Sequence, residues 1–311
     1  EEADQEVMLI LNEYKDIMEN YLAIPVLVGR KSESEKFAGA LYTTTLEAIM
    51  PDGKALQMGT SHNLGQNFSK VFDIKFIGED EKEHYVWQTS WGISTRIIGA
   101  MVMVHGDDKG LIIPPKIAPI QAVIVPIPYK TADTSAILTK AREVYDKLDK
   151  AGISTVLDDR KEYTPGWKFN DWELKGVPVR IEIGPKDLAR GQVTLARRDT
   201  FEKMIVKDEE VVEAVKKLLD DIQQNLFNKA KKFLEDHIAT VKSYDEFKEA
   251  LQTRGGFIRA SWCGSRECER KIKEETGATI RIIPFEKEQP VSNCIYCGGK
   301  ASELVYFARS Y

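Results

Sequence analysis

All four cysteines of this chain lie after residue 262, in two close pairs, and they constrain the fold of its last part more than any other feature. The pairs are Cys263-x4-Cys268 and Cys294-x2-Cys297. Thiolates are soft ligands that suit Zn2+, and this spacing differs from the common iron–sulfur patterns, so the pairs predict a tetrahedral zinc site. Four thiolates fill the coordination sphere, which indicates a structural rather than a catalytic ion. The alternatives are buried free thiols, which would not concentrate in pairs, and disulfides, which are rare in the cytosol.

Length and composition indicate an ordinary globular protein with more than one core. A chain of 311 residues is too long for a single core, and 42% apolar with 30% charged residues excludes collagen-like, disulfide-scaffold and wholly disordered chains. The formal charge of −5 (44 basic against 49 acidic residues) excludes a globally basic nucleic-acid binder but not a local basic face. The acidic start lacks the apolar region of a signal peptide, and the longest apolar stretch, around 97–104, is too short to cross a bilayer. A cytoplasmic protein without membrane attachment is the resulting expectation.

Hydrophobic periodicity divides the chain into blocks of different character. The first block is predicted to contain helices at 6–22 and 93–104, a strand at 26–29, strands or short helices at 41–50 and 54–60, and a β-like aromatic segment at 85–92. Pro114, Pro115 and Pro119 mark a boundary, since nearby prolines do not fit inside a regular element. Beyond it, a small α/β domain is predicted from strands at 121–127, 153–157, 177–183 and 192–197 and a helix at 132–148, followed by one long helix at 208–241.

Three further segments have the composition of a binding site, and each has an alternative interpretation. Residues 57–67 combine glycines, hydroxyls and amides with His62, although such a histidine is more often a structural hydrogen-bonding residue. Residues 89–96 place Arg96 in an apolar segment, where it needs a ligand or, as the residues alone favour, an internal carboxylate. Residues 158–198 interleave basic, amide and aromatic side chains, as RNA contact surfaces do, but charge alone favours a solvated face.

The order of motifs along the chain resembles one family over essentially its whole length. The segments are 36–45 (KFAGALYTTT), 59–62 (GTSH), 87–92 (WQTSWG), 107–111 (DDKGL) with Pro114-Pro115, 165–171, 182–187 (EIGPKD), the paired cysteines and the terminal Ser310-Tyr311. Together they resemble the prolyl-tRNA synthetases, class II enzymes, of the archaeal and eukaryotic type. The specificity of the resemblance lies in many motifs occurring in one order.

The resemblance implies a mixed α+β and α/β fold with three domains. Residues 1–118 would be the C-terminal part of a class II antiparallel-sheet catalytic domain with motif 3, and 119–207 an α/β anticodon-binding domain. Residues 208–311 would be a C-terminal α+β zinc-binding domain that begins with the long helix. The family's motifs 1 and 2 match nothing here and would precede residue 1, so these 311 residues alone are expected not to form prolyl-adenylate.

The resemblance also implies the residues of an active site. It assigns two sets of residues. The ATP-binding residues would be Gln57, Thr60, Ser94 and Arg96, and the proline-binding residues would be Phe37, Ser61, His62, Trp91 and Gly92. A planar arginine cation suits the adenine face and phosphate, and the aromatic rings suit the small apolar pyrrolidine. The implied reaction is attack of the proline carboxylate on the α-phosphate of ATP with Mg2+, then transfer of the prolyl group to tRNA(Pro). Positioning and charge neutralisation would supply the catalysis, without a side-chain nucleophile.

The remaining expectations concern RNA, zinc and partners. Glu182, Lys186 and Arg190 would contact the anticodon, since a carboxylate accepts from a guanine edge and a cation donates to guanine or phosphate. The four cysteines would hold structural Zn2+, Tyr311 would be a placed chain end, and the family implies a homodimer. One alternative is a non-catalytic tRNA-binding or regulatory relative. The other, a zinc-dependent redox or hydrolytic protein, needs an open metal position or an exposed thiol pair, and four cysteine ligands leave neither.

Overall fold

The computed structural model describes residues 1–128 and 134–311, and contacts within the chain group them into two compact units. Unit 1 consists of Glu1–Asn20, Ile24–Ala100 and Lys231–Tyr311, and unit 2 of Tyr21–Ala23 and Met101–Ala230. The first and the last of the three predicted domains therefore contribute to the same unit. The domain boundaries at 118 and 207 remain predictions.

The first hundred residues form a helix packed on an antiparallel sheet. In chain order the elements are α1 (Glu2–Asp16), β1 (Leu27–Arg30), β2 (Tyr42–Ile49), β3 (Ala55–Gly65), α2 (Asn67–Val71), β4 (Lys75–Ile77), β5 (Glu83–Tyr85), β6 (Gln88–Gly92) and α3 (Arg96–His105). The sheet has the order β1-β2-β3-β6, while β4 and β5 pair as a separate hairpin. Both segments predicted as strand or short helix are strands, and one π-helical turn, Ile17–Tyr21, extends α1 to nearly the predicted end.

Unit 2 contains a mixed five-stranded sheet. Its elements are β7 (Ala122–Pro126), α4 (Thr134–Lys150), β8 (Thr155–Leu157), α5 (Pro165–Leu174), β9 (Val179–Ile183), α6 (Pro185–Arg190), β10 (Gln192–Arg197) and β11 (Lys203–Lys207). The strand order is β11-β10-β9-β7-β8, with β7, β8 and β9 parallel and β10 and β11 antiparallel. The predicted strands and the α/β character are confirmed. The predicted helix at 132–148 is α4, although residues 132 and 133 lie outside the described part of the chain.

The long predicted helix is α7 (Val211–Asp236), which begins in unit 2 and ends in unit 1. Its apolar face, as the periodicity predicts, packs into the core of unit 2 with residues Val211, Val215, Leu218, Leu219, Ile222 and Leu226. The helix ends five residues before the predicted end because the chain turns at His237 and then pairs as a strand.

The last part of unit 1 is a second, smaller α+β layer. Its elements are β12 (Ile238–Thr240), α8 (Tyr244–Thr253), β13 (Phe257–Trp262), α9 (Arg266–Thr276), β14 (Thr279–Ile282) and β15 (Glu303–Ala308). The strand order is β12-β13-β15-β14. Serine side chains cap α8 and α9: Ser243 accepts from the Glu246 amide and Ser265 from the Glu267 amide. We call residues 238–311 the C-terminal module.

Backbone contacts join the C-terminal module to the first sheet of unit 1. Arg30 and Ile283 exchange both backbone hydrogen bonds, with N···O distances of 2.8 and 2.9 Å. A side chain at Gly29 would place its Cβ 2.5 Å from the Ile283 carbonyl oxygen, so glycine alone permits this approach.

A buried ion cluster lies beside this junction. Glu47 of β2 is fully buried, and its carboxylate accepts from Lys31 Nζ at 2.6 Å and from Nε and Nη2 of Arg281 in β14 at 3.0 Å. Because a buried charge is costly without its partner, each of the three groups holds the others in place. Over the described residues, no helix combines the length and the apolar character needed to span a membrane.

Candidate functional site

Strands β3 and β6 bring most of the predicted active-site residues side by side. Their register pairs Thr60 with Gly92, Ser61 with Trp91, and His62 with Ser90. Residues paired across antiparallel strands project to the same face of the sheet, and neighbours along a strand alternate. Thr60, His62 and Gly92 therefore share one face, which we call the pocket face.

Three residues form a connected corner on the pocket face. The Thr43 hydroxyl accepts from the Phe37 amide at 2.9 Å and lies 2.9 Å from His62 Nδ1. The Phe37 and His62 rings lie 5.0 Å apart, and Phe37 is 48% exposed. Burial lowers the pKa of His62, so the imidazole is neutral at pH 7. Sequence reasoning missed Thr43, although its position opposite His62 in the β2–β3 pairing identifies it.

Of the predicted ATP residues, Thr60 lies on the pocket face, Gln57 lies nearer the start of β3, and Ser94 and Arg96 follow the end of β6. Arg96 Nη1 donates to the Gln57 carbonyl oxygen at 3.5 Å, and the Arg96 amide donates to the Ser94 hydroxyl at 3.3 Å. Within residues 1–128 and 134–311, Arg96 forms no ion pair with a carboxylate, contrary to the internal pair that the residues alone favoured. The guanidinium is exposed and can therefore meet an anionic ligand.

Ser61 and Trp91 project from the opposite face of the sheet. Asn63, two residues after Ser61 on β3, donates to Asp4 of α1 at 2.8 Å, so this is the face that α1 covers. Ser61 is fully buried there, and Trp91 is 47% exposed. The structure thus brings Phe37, His62 and Gly92 together and places the side chains of Ser61 and Trp91 behind them.

The predicted anticodon residues occupy β9 and the helix that follows it. Glu182 is buried on β9, where its carboxylate pairs with Arg180 at 3.1 Å and with Lys203 at 2.8 Å. Lys186 and Arg190 are exposed on α6 and, four residues apart, lie on one side of it. The structure therefore separates a buried, paired carboxylate from two exposed cations.

A compact group lies beside Glu182, and sequence reasoning, which noted Phe169 and Arg180 within residues 158–198, did not assign it as a contact. Arg180 Nη1 donates to Glu173 of α5 at 2.8 Å, and its guanidinium carbon lies 4.1 Å from the centre of the Phe169 ring. Phe169 and Glu173 are four residues apart on a helix, and Arg180 and Glu182 are two apart on a strand. Those spacings place each pair on one face, which is the signal that could have found the group.

An exposed aromatic pair stands at the start of α5. The Tyr163 and Trp167 rings are stacked 3.8 Å apart, with exposures of 39% and 43%. Arg160 lies 5.0 and 5.3 Å from the two ring centres. Asp158 fixes that arginine with hydrogen bonds of 2.8 and 2.7 Å. Although burial opposes it, hydrogen bonds from Arg160 and Trp172 and the Lys168 charge hold the pKa of Asp158 well below its usual range.

The four cysteines form one cluster in the C-terminal module. Their Sγ atoms all lie within 4.8 Å of one another, with Cys263 3.6 Å from Cys268 and 3.9 Å from Cys297. Zn–S bonds of about 2.3 Å in a tetrahedron give S···S edges of about 3.8 Å, so the donor set fits zinc. A hydrogen bond from the Gly299 amide lowers the pKa of Cys297 to about 7, whereas burial raises the pKa of Cys263 and of Cys268, so only Cys297 among these three favours the thiolate without a metal. All four are free thiols, so the disulfide alternative is not met.

Three family models match successive parts of the chain. Residues 1–105 match the tRNA synthetase class II core domain (G, H, P, S and T), 121–218 the anticodon binding domain, and 244–311 the prolyl-tRNA synthetase C-terminal domain. The antiparallel sheet, the α/β sheet and the four cysteines lie within these three segments.

Curated relatives are similar along the whole chain. It is 54% identical to a protein named proline–tRNA ligase from Natranaerobius thermophilus, 51% to one from Alkaliphilus oremlandii, and 52% to one from Cenarchaeum symbiosum. Each alignment covers 100% of this chain but 64%, 64% and 65% of the relative, so the chain spans less than two thirds of their length. Bacterial and archaeal relatives are equally similar, so the comparison does not distinguish the archaeal and eukaryotic type.

Proposed function

The chain belongs to the prolyl-tRNA synthetase family, and we propose that it is the larger part of a proline–tRNA ligase. The proposed enzyme joins L-proline to tRNA(Pro) at the expense of ATP. The observation that carries the proposal is the pair of strands β3 and β6. The pair holds an aromatic–histidine corner suited to a small apolar ring, and β6 leads into Arg96, which pairs with no carboxylate among the described residues and suits phosphate. No relative's name supports the non-catalytic alternative.

Activation of proline requires the amino acid and the triphosphate to be held in line. In this proposal Phe37 covers the pyrrolidine ring of proline. Thr43 orients the neutral imidazole of His62, which forms one hydrogen bond near the charged groups of the bound proline. A proline carboxylate oxygen attacks the α-phosphorus, the bond to the bridging oxygen breaks, and pyrophosphate leaves. A ribose hydroxyl of tRNA(Pro) then attacks the prolyl carbonyl, and AMP leaves.

The nucleotide is assigned to the other end of the strand pair. Arg96 would neutralise charge at the phosphates or cover the adenine ring, and Gln57, Thr60 and Ser94 would contact the nucleoside. Mg2+ bound to the phosphates would supply further charge neutralisation. For the proline side, Gly92 lines the pocket face, whereas Ser61 and Trp91 would act from behind the sheet by supporting β3 and β6.

We assign the anticodon of tRNA(Pro) to unit 2. Glu182, Lys186 and Arg190 remain proposed contacts, and we add the Phe169–Glu173–Arg180 group, which offers a ring, a carboxylate and a cation within one patch. Such a combination reads unstacked bases by stacking and edge hydrogen bonds. The Tyr163–Trp167 pair would be a second stacking surface.

The remaining assignments follow from the family and from the cysteine cluster. We propose that Cys263, Cys268, Cys294 and Cys297 hold a structural zinc ion, that the protein is a cytoplasmic homodimer, and that its architecture is the archaeal and eukaryotic type. The order of the motifs along the sequence is the support for that type.

Proline-dependent exchange of pyrophosphate into ATP tests the proposed function. A protein that extends this chain to the full length of its relatives should show exchange with proline and transfer proline to tRNA(Pro). The isolated 311 residues, which span 64% of the first relative, should show none. If the full-length protein shows no pyrophosphate exchange with any amino acid, the proposed ligase activity is wrong. If the 311 residues alone show exchange, only the expectation that they are inactive by themselves is wrong.

A further inference from the structure

The segment between β1 and β2 delivers Phe37 to the pocket face, and it contacts the C-terminal module before it does so. We call residues 31–38 the Phe37 loop. The Ser32 carbonyl oxygen accepts from the Glu35 and Lys36 amides at 3.2 and 2.9 Å, which closes a turn. Directly after this turn, the Phe37 amide donates to Thr43. The position of Ser32 therefore sets where the Phe37 ring lies.

Ser32 is held by a helix more than two hundred residues away in the sequence. Its hydroxyl donates to Glu269 Oε1 of α9 at 2.5 Å, and the two residues are 1% and 4% exposed. Hydrogen bonds to a buried carboxylate are short and strong, and water cannot replace this one without entering the junction. The bond thus fixes the turn of the Phe37 loop against α9.

Two ion pairs flank this bond at the surface. Glu33 lies 3.4 Å from Arg266, and Glu35 lies 3.2 Å from Lys273, both on α9. Exposed pairs of this kind contribute little, because water screens them. They indicate that the loop lies along the helix, while the buried Ser32–Glu269 bond determines its register there.

We propose that Glu269 is a positioning residue for the proline pocket, acting through Ser32 on the placement of Phe37. Glu269 follows Cys268 directly, so the cysteine cluster orients the helix turn from which the carboxylate reaches the loop. The C-terminal module thereby sets the affinity for the amino acid without touching it. The identity of that amino acid rests on the proposed function, whereas the control of loop order does not.

The test compares Glu269→Ala with two matched variants. Glu269→Gln keeps an oxygen that can accept a hydrogen bond from Ser32, so residues 31–38 should stay as ordered as in the wild type. Glu267→Ala removes an exposed carboxylate of the same helix that pairs with Arg270 and not with the loop. Hydrogen–deuterium exchange of the 311-residue chain reports the order of residues 31–38, and pyrophosphate exchange by the full-length protein reports the KM for proline and for ATP.

The expected result is specific to the loop and to proline. Glu269→Ala should speed amide exchange in residues 31–38 and raise the KM for proline by about tenfold, as loss of one buried hydrogen bond predicts, with kcat and the KM for ATP within about twofold of wild type. Glu269→Gln and Glu267→Ala should resemble the wild type in both measurements. If Glu269→Ala does not fold, Ser32→Ala takes its place with the same expected result.

Two outcomes would overturn the proposal. One is that amide hydrogen–deuterium exchange in residues 31–38 is the same in Glu269→Ala as in the wild type. The other is equal loss of thermal stability, kcat and affinity for both substrates, which would make Glu269 merely structural. If the full-length wild type shows no proline-dependent exchange, the proposed function fails, and the hydrogen–deuterium exchange still decides whether Glu269 orders the loop.

Discussion

Thr43 carries two contacts with one hydroxyl, and both lead to the proposed proline pocket. It accepts from the Phe37 amide and meets Nδ1 of His62, so removing the hydroxyl releases the loop and the imidazole together. We expect Thr43→Val, measured in the full-length protein, to raise the KM for proline by about threefold to tenfold, the size of one or two lost hydrogen bonds.

The neighbouring residue provides the control for this substitution. Thr44 projects to the opposite face of β2 and donates to the Ser61 carbonyl oxygen at 2.8 Å. Thr44→Val removes a comparable buried hydrogen bond, so it should lower thermal stability with little change in the KM for proline. Equal effects of the two variants on that KM would contradict the assigned pocket face.

Trp167 permits a separate test of RNA binding by unit 2. Stacking of a base on an aromatic ring contributes about 1–3 kcal/mol, so Trp167→Ala should weaken tRNA(Pro) binding by about tenfold in a filter-binding or anisotropy titration. Pyrophosphate exchange without tRNA should not change. The control is Leu174→Ala, which removes an apolar side chain that is 60% exposed on the same helix. If Trp167→Ala and the wild type bind tRNA(Pro) with equal affinity, the aromatic pair is not part of the tRNA interface.

Among the elements, strands were easier to predict from the sequence than helix ends. The run at 121–127 is a buried strand of unit 2, as its continuous apolar residues predict, and the predicted segments 177–183 and 192–197 are strands as well. The end of α7 depends on the pairing of β12 with β13, which periodicity does not reveal. Helix α5 was missed, although Thr164 accepting from the Trp167 amide and Pro165 at the first position are start signals.

The pocket face shows what sequence reasoning cannot supply about a site. The resemblance named residues at consecutive positions, such as Ser61 with His62 and Trp91 with Gly92. Alternation along a strand puts neighbouring side chains on opposite faces, so Ser61 and His62 cannot both line one pocket with their side chains, and the Trp91 side chain lies on the face of Ser61. Register, which comes from the pairing of β3 with β6, decides which side chains line the pocket.

The cysteine cluster connects α9 to the loop around Cys294 and Cys297. We expect Cys263→Ser to lower the melting temperature of the chain by several degrees, since loss of a ligand weakens metal-coupled folding. A chelator should lower the melting temperature of the wild type by a similar amount. Lys300→Ala, an exposed change in the same loop, serves as the control and should melt like the wild type. Measured zinc content near zero with unchanged melting on chelation would exclude a structural metal.

At the scale of the whole molecule, the division into units could not be read along the chain. Three domains were predicted in chain order, yet the first and last segments share unit 1. The contacts responsible join distant residues: Arg281 contacts Glu47 and Lys31, which lie 234 and 250 positions before it. Neither composition nor periodicity carries information about partners so far apart.

The buried ion cluster makes unit 1 sensitive to a single charge. Glu47→Gln leaves Lys31 and Arg281 buried without their anion and should reduce the free energy of unfolding by about 3–5 kcal/mol, measured by denaturant titration. Asp52→Asn, on the exposed turn after β2, is the matched control and should cost far less. A small effect of Glu47→Gln would show that water reaches the cluster.

Unit 1 combines segments from both ends of the chain, and this sets the order in which the two units can be completed on the ribosome. Every residue of unit 2 has been synthesised by position 230, so that unit has all its partners while the chain is still growing. Ser32 meets Glu269, and Glu47 meets Arg281, only after more than two hundred further residues, which takes roughly 10–50 s at ordinary elongation rates. During that interval the first sheet exposes an edge and unpaired polar groups. A nascent chain stopped shortly before α9 would therefore carry a finished unit 2 beside an unfinished unit 1, a state that chaperones and proteases recognise.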